Sequence, residues 1–490
     1  MESTLIEALS GPRTDKGALT LSTSNSPLID FFFLLGALRG AESIQITQSW
    51  KAAFDDNQRA AIKLLFYARD RNGQGERELF RTIVRFLAKG NEIQRSVIQN
   101  NLQNIPYYGR WDDLFCLLDT PLEREALELY SNALKAGDAL AAKWAPREKS
   151  SKRNIAIKLM SIMSLTPKQY RKLLSSTTKV VETQMCLNKW DEIDYSTVPS
   201  IAMSNYRKTF EKHSKERWDE YVEALASGKA KVNTSVLYPY QIISPLLEGQ
   251  YAYETFIGEE SNQLDFLNQQ WKSLPDYIAG NREKILPVVD VSGSMFRGKS
   301  KRGPQPIDIS ISLGMYIAER SQGIFKDAFM TFSSEPQLVH LQSNTLIERV
   351  MEMKRASWGM STDLVETFRV LLNTAMTNHI SPDQMPSVLL VISDMEFDHA
   401  TKDHYGEELT NYQTIKNYYQ SAGYDLPKIV FWNVNGKPGN VPVSTRDNNT
   451  LLVSGFSPVI MKYILASGSV KPMDLVNYVV DNVRYQQVVV

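Results

Sequence analysis

The pattern of apolar positions along the chain changes its period near residue 285. From Pro27 to about Leu187, apolar residues recur three and four positions apart, and Gly or Pro interrupts them at short intervals. The clearest of these runs are 58–70, 76–88 and 122–136. Because this spacing places apolar side chains on one helix face, it predicts paired helices joined by short turns. We therefore expect a helical-repeat domain over residues 27–284, after an extended lead-in of residues 1–26 that is rich in Ser, Thr and Gly.

From Ile285 onward the apolar residues form short, continuous runs instead. The strand-like runs are 285–289, 328–332, 388–392, 429–434 and 451–453. Helical patterns separate or follow them at 307–320, 346–354, 363–376, 409–422, 459–465 and 473–485. Strands that alternate with helices predict a parallel sheet with helices on both faces. The expected fold class is α + α/β, a helical-repeat domain followed by a doubly wound parallel-sheet domain over residues 285–490.

The composition is that of a globular protein, with 43% hydrophobic and 22% charged residues. Lys+Arg 55 and Asp+Glu 55 balance to a formal net charge of zero, so any basic surface has to be local. The two cysteines, Cys116 and Cys186, imply no disulfide framework and no Cys-based zinc site, which fits a reducing compartment. No signal peptide or membrane-spanning run is recognisable. We expect a cytoplasmic protein, in the host cytoplasm if it is viral, without a membrane partner.

Three loops of the second domain carry oxygen-bearing side chains. Asp290-Val291-Ser292-Gly293-Ser294 follows the strand 285–289, Ser393-Asp394 follows the strand 388–392, and Thr362 precedes a helix. In doubly wound folds ligands bind outside the carboxyl ends of the strands, and hard oxygen ligands suit Mg²⁺. We therefore predict a site for Mg²⁺ or another divalent cation, formed by Asp290, Ser292, Ser294, Thr362 and Asp394.

Other roles remain open for these residues. Asp290 can cap the turn that follows its strand, the two serines can serve ordinary turn chemistry, and Ser361 can replace Thr362. Signatures of enzymes are poor, because the chain lacks a Gly-x-x-x-x-Gly-Lys-Ser/Thr loop and a Gly-x-Ser-x-Gly elbow. A hydrolytic centre could combine Asp394 with Glu396, Asp398 and His399. A site made mainly of hydroxyls suits ligand capture better, so we expect no catalysis.

Residues 143–179 form a strongly basic segment, with ten Lys and Arg residues against the single acid Glu148. Trp144 and Tyr170 lie among them, and cations interleaved with aromatic rings can hold a phosphate backbone and stack bases. The candidate RNA contacts are Lys143, Arg147, Lys149, Lys152, Arg153, Lys158, Arg171 and Lys172. The alternative is a solvated helical face with acidic neighbours in space. A second possible contributor, equally open to plain ion pairing, comprises Arg69, Arg71, Arg77 and Arg81.

The three oxygen-bearing loops, in this order and context, carry a family resemblance. Residues 285–465 resemble a von Willebrand factor A domain with a metal-ion-dependent adhesion site. The resemblance implies that Ser292, Ser294 and Thr362 supply hydroxyl ligands to the metal. It also implies that Asp290 and Asp394 act mostly through waters, and that the open coordination position takes an acidic group from a protein partner.

Longer motifs spread over nearly the whole chain carry a second resemblance. They are Ala68-Arg69-Asp70 with Gly75-Glu76-Arg77, Tyr108-Gly109-Arg110-Trp111-Asp112-Asp113-Leu114, Lys143-Trp144-Ala145-Pro146-Arg147-Glu148, Ser393-Asp394-Met395-Glu396-Phe397-Asp398, Phe431-Trp432-Asn433 and Val453-Ser454-Gly455-Phe456-Ser457. They resemble a family of proteins from plants, phages and large viruses. In layout that family is similar to the TROVE-domain Ro proteins, in which a ring of helical repeats joins a von Willebrand factor A domain and binds small structured RNAs.

Two functions follow from these patterns. The first is a non-catalytic RNA-binding scaffold of a ribonucleoprotein, with a magnesium-dependent site for an acidic protein ligand. The alternative is a protein-binding adaptor, either a partner of a MoxR-type AAA+ ATPase or a structural component of a virus or phage particle.

Overall fold

A computed structural model of the chain describes residues 12–178, 180–234, 236–247, 261–296, 304–333, 335–356, 362–398, 409–436, 439–466 and 471–490. The described helices up to residue 226 are α1 (Pro27–Leu34), α2 (Ser43–Asp56), α3 (Gln58–Arg69), α4 (Arg77–Lys89), α5 (Glu92–Asn100), α6 (Asn104–Tyr108), α7 (Glu123–Lys135), α8 (Ala139–Trp144), α9 (Arg153–Met163), α10 (Pro167–Thr177), α11 (Val181–Cys186), α12 (Ser200–His213) and α13 (Lys215–Ala226). Short 3-10 helices lie at Trp111–Leu117, Trp190–Glu192 and Tyr195–Thr197.

Strands alternate with helices in the rest of the chain. The helices are α14 (Pro239–Leu247), α15 (Ser261–Lys272), α16 (Pro306–Arg320), α17 (Leu346–Arg355), α18 (Leu364–Thr377), α19 (Asn411–Ala422), α20 (Ile460–Ala466) and α21 (Pro472–Val480). The strands are β1 (Ile285–Asp290), β2 (Ala328–Phe332), β3 (Leu338–His340), β4 (Val388–Ser393), β5 (Lys428–Asn433) and β6 (Thr450–Ser454). Further 3-10 helices lie at Gly293–Phe296, Gly323–Phe325, Pro382–Gln384 and Val483–Tyr485. The predicted fold class, a helical part followed by an α/β part with a mostly parallel sheet, is confirmed.

The chain folds into two compact units, each assembled from separate segments. The helical unit comprises Ala41–Lys51, Gln58–Val236 and Val480–Val490. The sheet unit comprises Met1–Gly40, Ala52–Asn57 and Leu237–Val479. These units do not coincide with the predicted domains 27–284 and 285–490. One reason is that α14 packs on α16, where the Ser244 hydroxyl donates to the Asp308 carboxylate at 3.1 Å.

Helices of the helical unit form because their apolar residues share one face. In α4 the buried residues include Leu79, Phe80, Ile83 and Leu87, which lie at the predicted spacing of three and four positions. Capping boxes begin α5 at Asn91 and α10 at Thr166, as their polar residues favour. Local pattern and capping chemistry therefore agree in this part of the chain.

Residues 480–490 complete the helical unit from the far end of the sequence. The Arg484 guanidinium forms an ion pair with the Asp70 carboxylate, which also accepts a hydrogen bond from the Tyr485 hydroxyl at 3.0 Å. The Tyr108 hydroxyl donates to the Arg484 carbonyl at 2.5 Å. The predicted closing helix 473–485 is therefore interrupted: α21 ends at Val480, and a 3-10 turn follows.

The sheet has the order β3-β2-β1-β4-β5-β6. All neighbouring strands are parallel except β3, which pairs with β2 in antiparallel register and which the apolar pattern did not indicate. Its three residues are partly or fully exposed, so they leave no continuous apolar run to recognise. Strand order reverses between β1 and β4, and ligands of such sheets bind at the carboxyl ends beside this point. Asp290 ends β1 and Asp394 follows β4, so both lie at this position.

The segment 12–26 was predicted to be an extended lead-in. It instead includes a hairpin, in which the Thr14 amide donates to the Ala18 carbonyl at 2.9 Å and Gly17 takes a positive φ of 89°. Bridges join Gly17 to Asp398 and Leu21 to Val441, so the segment packs on the sheet unit. Residues 1–11 of the predicted lead-in lie outside the described part. Among the described residues, no helix has the length and hydropathy needed to cross a bilayer.

Candidate functional site

Asp290 lies at the carboxyl end of β1 with its side chain fully buried. Its carboxylate accepts the Ser292 amide at 2.8 Å and the Ser393 hydroxyl, from the end of β4, at 2.6 Å. The hydroxyls of Ser292 and Ser294 are 3.0 Å apart. The carboxylate therefore fixes the loop that follows it and ties that loop to the neighbouring central strand.

Asp394 follows β4 and is likewise buried. It accepts the Glu396 amide at 3.2 Å and a hydrogen bond from the Ser294 hydroxyl. Met395 between them has a positive φ of 64°, which turns the chain sharply at this point. Ser294 thereby links the loop after β1 to the loop after β4.

Burial destabilises the charged form of both carboxylates. Burial raises the pKa of Asp290, against the hydrogen bonds from Ser393 and Ser292. Burial, and then repulsion by Asp290, raises the pKa of Asp394 to about 6. Two neighbouring carboxylates removed from water need a cation to remain ionised together.

Thr362 precedes α18 and is fully buried. Its amide donates to the Asp398 carboxylate at 2.7 Å, and its hydroxyl donates to the Glu396 carbonyl at 2.6 Å. Its neighbour Asp363 caps α18, since its side chain accepts the Glu366 amide at 2.8 Å. Ser361, the alternative to Thr362, lies outside the described residues.

Lys16 contributes to this cluster from the hairpin of the N-terminal segment. Its ammonium donates to the Thr362 hydroxyl at 2.8 Å and lies 3.9 Å from the Asp398 carboxylate. Its charge also acts to lower the pKa of Asp290 and of Asp394, although burial has the larger effect on both. Nothing in the local sequence indicated this residue, because it is a single lysine in a segment without an apolar or charged pattern.

The structure links Asp290, Ser292, Ser294 and Asp394 by hydrogen bonds, and the Lys16 ammonium contacts Thr362 on the third loop. Two carboxylates and three hydroxyls form a set of hard oxygen donors, and this set fits Mg²⁺. Within the ranges that the structure describes, no group of three or more His, Cys, Asp and Glu side chains could hold a metal ion. A divalent cation at this cluster would therefore depend on hydroxyls and on water.

Glu396 and Asp398, which were candidates for a hydrolytic centre with Asp394, form hydrogen bonds that hold neighbouring segments in place. The Glu396 carboxylate accepts the Asn440 amide nitrogen and the Asp15 backbone amide, both at 2.9 Å. Asp398 holds the Thr362 backbone, as described above. His399 lies outside the described residues.

The predicted basic segment lies in the helical unit, on α8 to α10 and the loop before α9. Its exposed cations are Arg147, Lys149, Lys152, Arg153, Lys168, Arg171 and Lys172, which we call the basic surface. Lys143 and Lys158 are half-buried, and Lys179 lies outside the described residues. Lys158 forms an ion pair with Glu123 at 2.5 Å, and Arg171 forms one with Glu148.

The aromatic residues of this segment do not present free rings. Tyr170 is fully buried, and its hydroxyl donates to the Pro146 carbonyl at 3.1 Å. The Trp144 ring is covered by the Arg110 guanidinium, whose central carbon lies 3.9 Å from the ring centre. The idea that Tyr170 stacks a base is therefore wrong, because the ring is part of the core.

The second predicted group of arginines divides into two kinds. Arg69 and Arg81 both donate to the buried Asp113 carboxylate at 2.7 Å, and Arg81 also pairs with Asp112 at 2.9 Å. For these two the ion-pair alternative is the correct one. Arg71 and Arg77 are exposed, and Arg77 pairs with Glu78 at 3.2 Å.

Gly109 lies against the Asp113 network at a position where a side chain would not fit. A Cβ atom at this position would collide with the Asp113 carboxylate and lie 2.9 Å from the Arg69 Nε atom. The motif 108–114 is therefore a close-packed charge network.

Family models, a viral protein and a solved structure are similar to this chain. Residues 284–487 match a family model described as "Domain of unknown function (DUF7788)", and residues 137–281 match one described as "Domain of unknown function (DUF2828)". "Uncharacterized protein L728" of Acanthamoeba polyphaga mimivirus is 28% identical over an alignment of 522 positions, gaps included. The alignment covers 96% of this chain and 87% of that protein. The Ro (RSR) protein of Deinococcus radiodurans is 13% identical and has a TM-score of 0.43, with 93% of this chain and 99% of that chain covered. The chain thus has a homologue in a large virus.

Proposed function

We propose that this chain is a non-catalytic RNA-binding scaffold of a ribonucleoprotein. The observation that carries the proposal is the basic surface, where seven cations are exposed on two successive helices and the loop before them. Long, exposed Lys and Arg side chains can neutralise phosphates and release counterions without a fixed base geometry. Since the aromatic rings are buried or covered, we infer that the surface holds the phosphate backbone and not particular bases.

Reversing two charges on this surface should weaken RNA binding. In the double variant Lys152→Glu/Arg153→Glu, we expect the affinity for a small structured RNA to fall about tenfold or more at low salt. The slope of log affinity against log salt should also fall by about two, one for each lost phosphate contact. Filter binding across a salt series measures both quantities.

The control is Lys229→Glu/Lys231→Glu, which makes the same change of charge at exposed positions after α13 in the helical unit. This variant should bind RNA like the wild type. Equal retention of RNA by the Lys152→Glu/Arg153→Glu variant and the wild type would refute the proposal.

A second function is supported by the oxygen cluster at the ends of β1 and β4. We propose that it holds Mg²⁺ or another divalent cation through Ser292, Ser294 and Thr362, with Asp290 and Asp394 holding coordinating waters. A bound Mg²⁺ would supply an electrophilic centre for a carboxylate of an acidic protein partner. Ser294, which is half-buried, is the predicted ligand with the greatest access to solvent.

Pull-down of the native protein distinguishes these functions. Protein partners that bind through the metal should be lost with a chelator and in an Asp290→Asn variant, whereas RNA held by the basic surface should remain. Partners that survive both treatments would contradict the metal-dependent site. The ratio of absorbance at 260 and 280 nm shows whether the purified protein carries nucleic acid. Protein partners that are lost with a chelator, from a preparation that contains no nucleic acid, would favour the adaptor function, as a partner of an AAA+ ATPase or a component of a particle.

A further inference from the structure

The tip of the N-terminal hairpin is held by contacts that do not involve the Lys16 side chain. The Thr14 hydroxyl donates to the Phe397 carbonyl at 2.6 Å, and the Asp15 amide donates to the Glu396 carboxylate at 2.9 Å. Both acceptors belong to the loop after β4 that carries Asp394. The hairpin therefore positions residue 16 at the oxygen cluster whatever side chain that residue has.

The Lys16 ammonium occupies one of the two lone pairs through which the Thr362 hydroxyl could bind a metal ion. A threonine hydroxyl has one proton and two acceptor lone pairs. The proton of Thr362 goes to the Glu396 carbonyl at 2.6 Å, and a lone pair accepts the Lys16 ammonium at 2.8 Å. Thr362 is the predicted ligand on the third loop, so the ammonium contacts the donor that would complete the metal site.

The charge of Lys16 serves the same carboxylates as a metal would. It favours the ionised forms of Asp290 and Asp394, which are buried beside each other. A divalent ion would replace this neutralisation and would repel an ammonium at the same place. The Lys16 side chain is 25% exposed, so it can withdraw into solvent while the backbone of the hairpin stays in place.

We propose that Lys16 is a built-in competitor of the divalent cation, so that the cluster holds either the ammonium or the metal. This inference rests on the proposed metal site. It makes Lys16 the residue that sets the metal affinity of the site, without itself being a ligand of the metal. Metal binding then requires the ammonium to leave Thr362.

Isothermal titration of the full-length protein with MgCl₂ tests this competition. The Lys16→Met variant removes the charge and keeps an unbranched side chain, and we expect it to bind Mg²⁺ at least about tenfold more tightly than the wild type. Lys16→Gln should behave in the same way, and it provides a second measurement if Lys16→Met does not fold. Circular dichroism spectra establish that each variant is folded.

The matched control is Lys428→Met. Lys428 is the first residue of β5. It lies at the amino end of the strand, roughly 16 Å from the carboxyl end, where the oxygen cluster lies. This variant should bind Mg²⁺ with the wild-type affinity. A comparable gain in Lys428→Met would show a general effect of net charge and would overturn the inference.

The two proposals fail in different ways. If the wild type and the Lys16 variants bind Mg²⁺ with equal affinity, the competition is refuted and the metal site stands. If none of these proteins binds Mg²⁺, even after the ammonium has been removed, the metal site itself is refuted and the competition falls with it.

Discussion

Asp394→Asn is expected to stabilise the metal-free protein at neutral pH and to abolish its stabilisation by Mg²⁺. Asparagine keeps the shape of the side chain and an oxygen that can accept the Glu396 amide and the Ser294 hydroxyl. It removes a charge that burial and Asp290 disfavour. A residue whose charge lowers the stability of the fold is expected where the charge serves binding.

The raised pKa of Asp394 determines how the free energy of unfolding changes with pH, and over which pH range. The pKa of Asp394 rises from 3.8 in the unfolded chain to about 6 in the folded protein, so the folded state binds more protons between these values. The free energy of unfolding of the metal-free wild type should therefore fall as the pH rises through this window. The gain from Asp394→Asn should be absent below about pH 4 and on the order of 2 to 3 kcal/mol above about pH 6.

Magnesium should offset most or all of this difference in stability. A concentration about one hundred times the dissociation constant should raise the free energy of unfolding of the wild type by about 2.7 kcal/mol and leave Asp394→Asn unchanged. Chemical denaturation with and without Mg²⁺ measures both effects. Asp265→Asn removes the same charge at an exposed position on α15 and should respond to Mg²⁺ like the wild type. A full Mg²⁺ response in Asp394→Asn would contradict its assignment to the metal site.

Asp113→Ala should destabilise the helical unit by about 3 to 5 kcal/mol, because it leaves the buried Arg69 guanidinium without its carboxylate and Arg81 with Asp112 alone. The side chain of Asp113 is fully buried, and that of Arg69 is only 7% exposed. The Arg110 backbone amide, which donates to the same carboxylate at 2.8 Å, would also lose its partner. Denaturant unfolding, followed by circular dichroism, measures the loss.

The comparison for Asp113→Ala is an exposed ion pair on α7. Glu128 pairs with Arg124 one turn earlier, and their side chains are 45% and 86% exposed. Because water screens this pair, Glu128→Ala should cost about 0.5 kcal/mol or less. An Asp113→Ala effect as small as this would show that Arg69 and Arg81 find other partners.

Local pattern predicted most of the α/β part of the fold. The runs around Ile285 and Val388 are continuous because both faces of their strands are buried, which is the signature of a central parallel strand. The chemistry of the site was predictable for the same reason. Asp290 and Asp394 follow those strands directly, and parallel strands end at one edge of a sheet.

Contacts between residues distant in sequence were not predictable in this way. Lys16 contacts Thr362 across 346 positions, and Arg484 contacts Asp70 across 414. Neither lysine nor arginine has a local pattern that indicates its partner. The ion pairs of the basic surface were not predictable either. Arg171 and the exposed Lys172 are neighbours in sequence, but it is Arg171 that the fold brings to Glu148.

The segment 480–490 bears on the order of events during translation. Helices α3 to α13 leave the ribosome long before Arg484 does, yet Asp70 has this arginine as its ion-pair partner. Domains commonly fold as they emerge, from the N-terminus onward. Here one ion pair of the helical unit cannot form until Arg484 has been synthesised, 414 positions after Asp70. A premature stop codon just before residue 480 would therefore leave Asp70, which follows α3, without the Arg484 guanidinium.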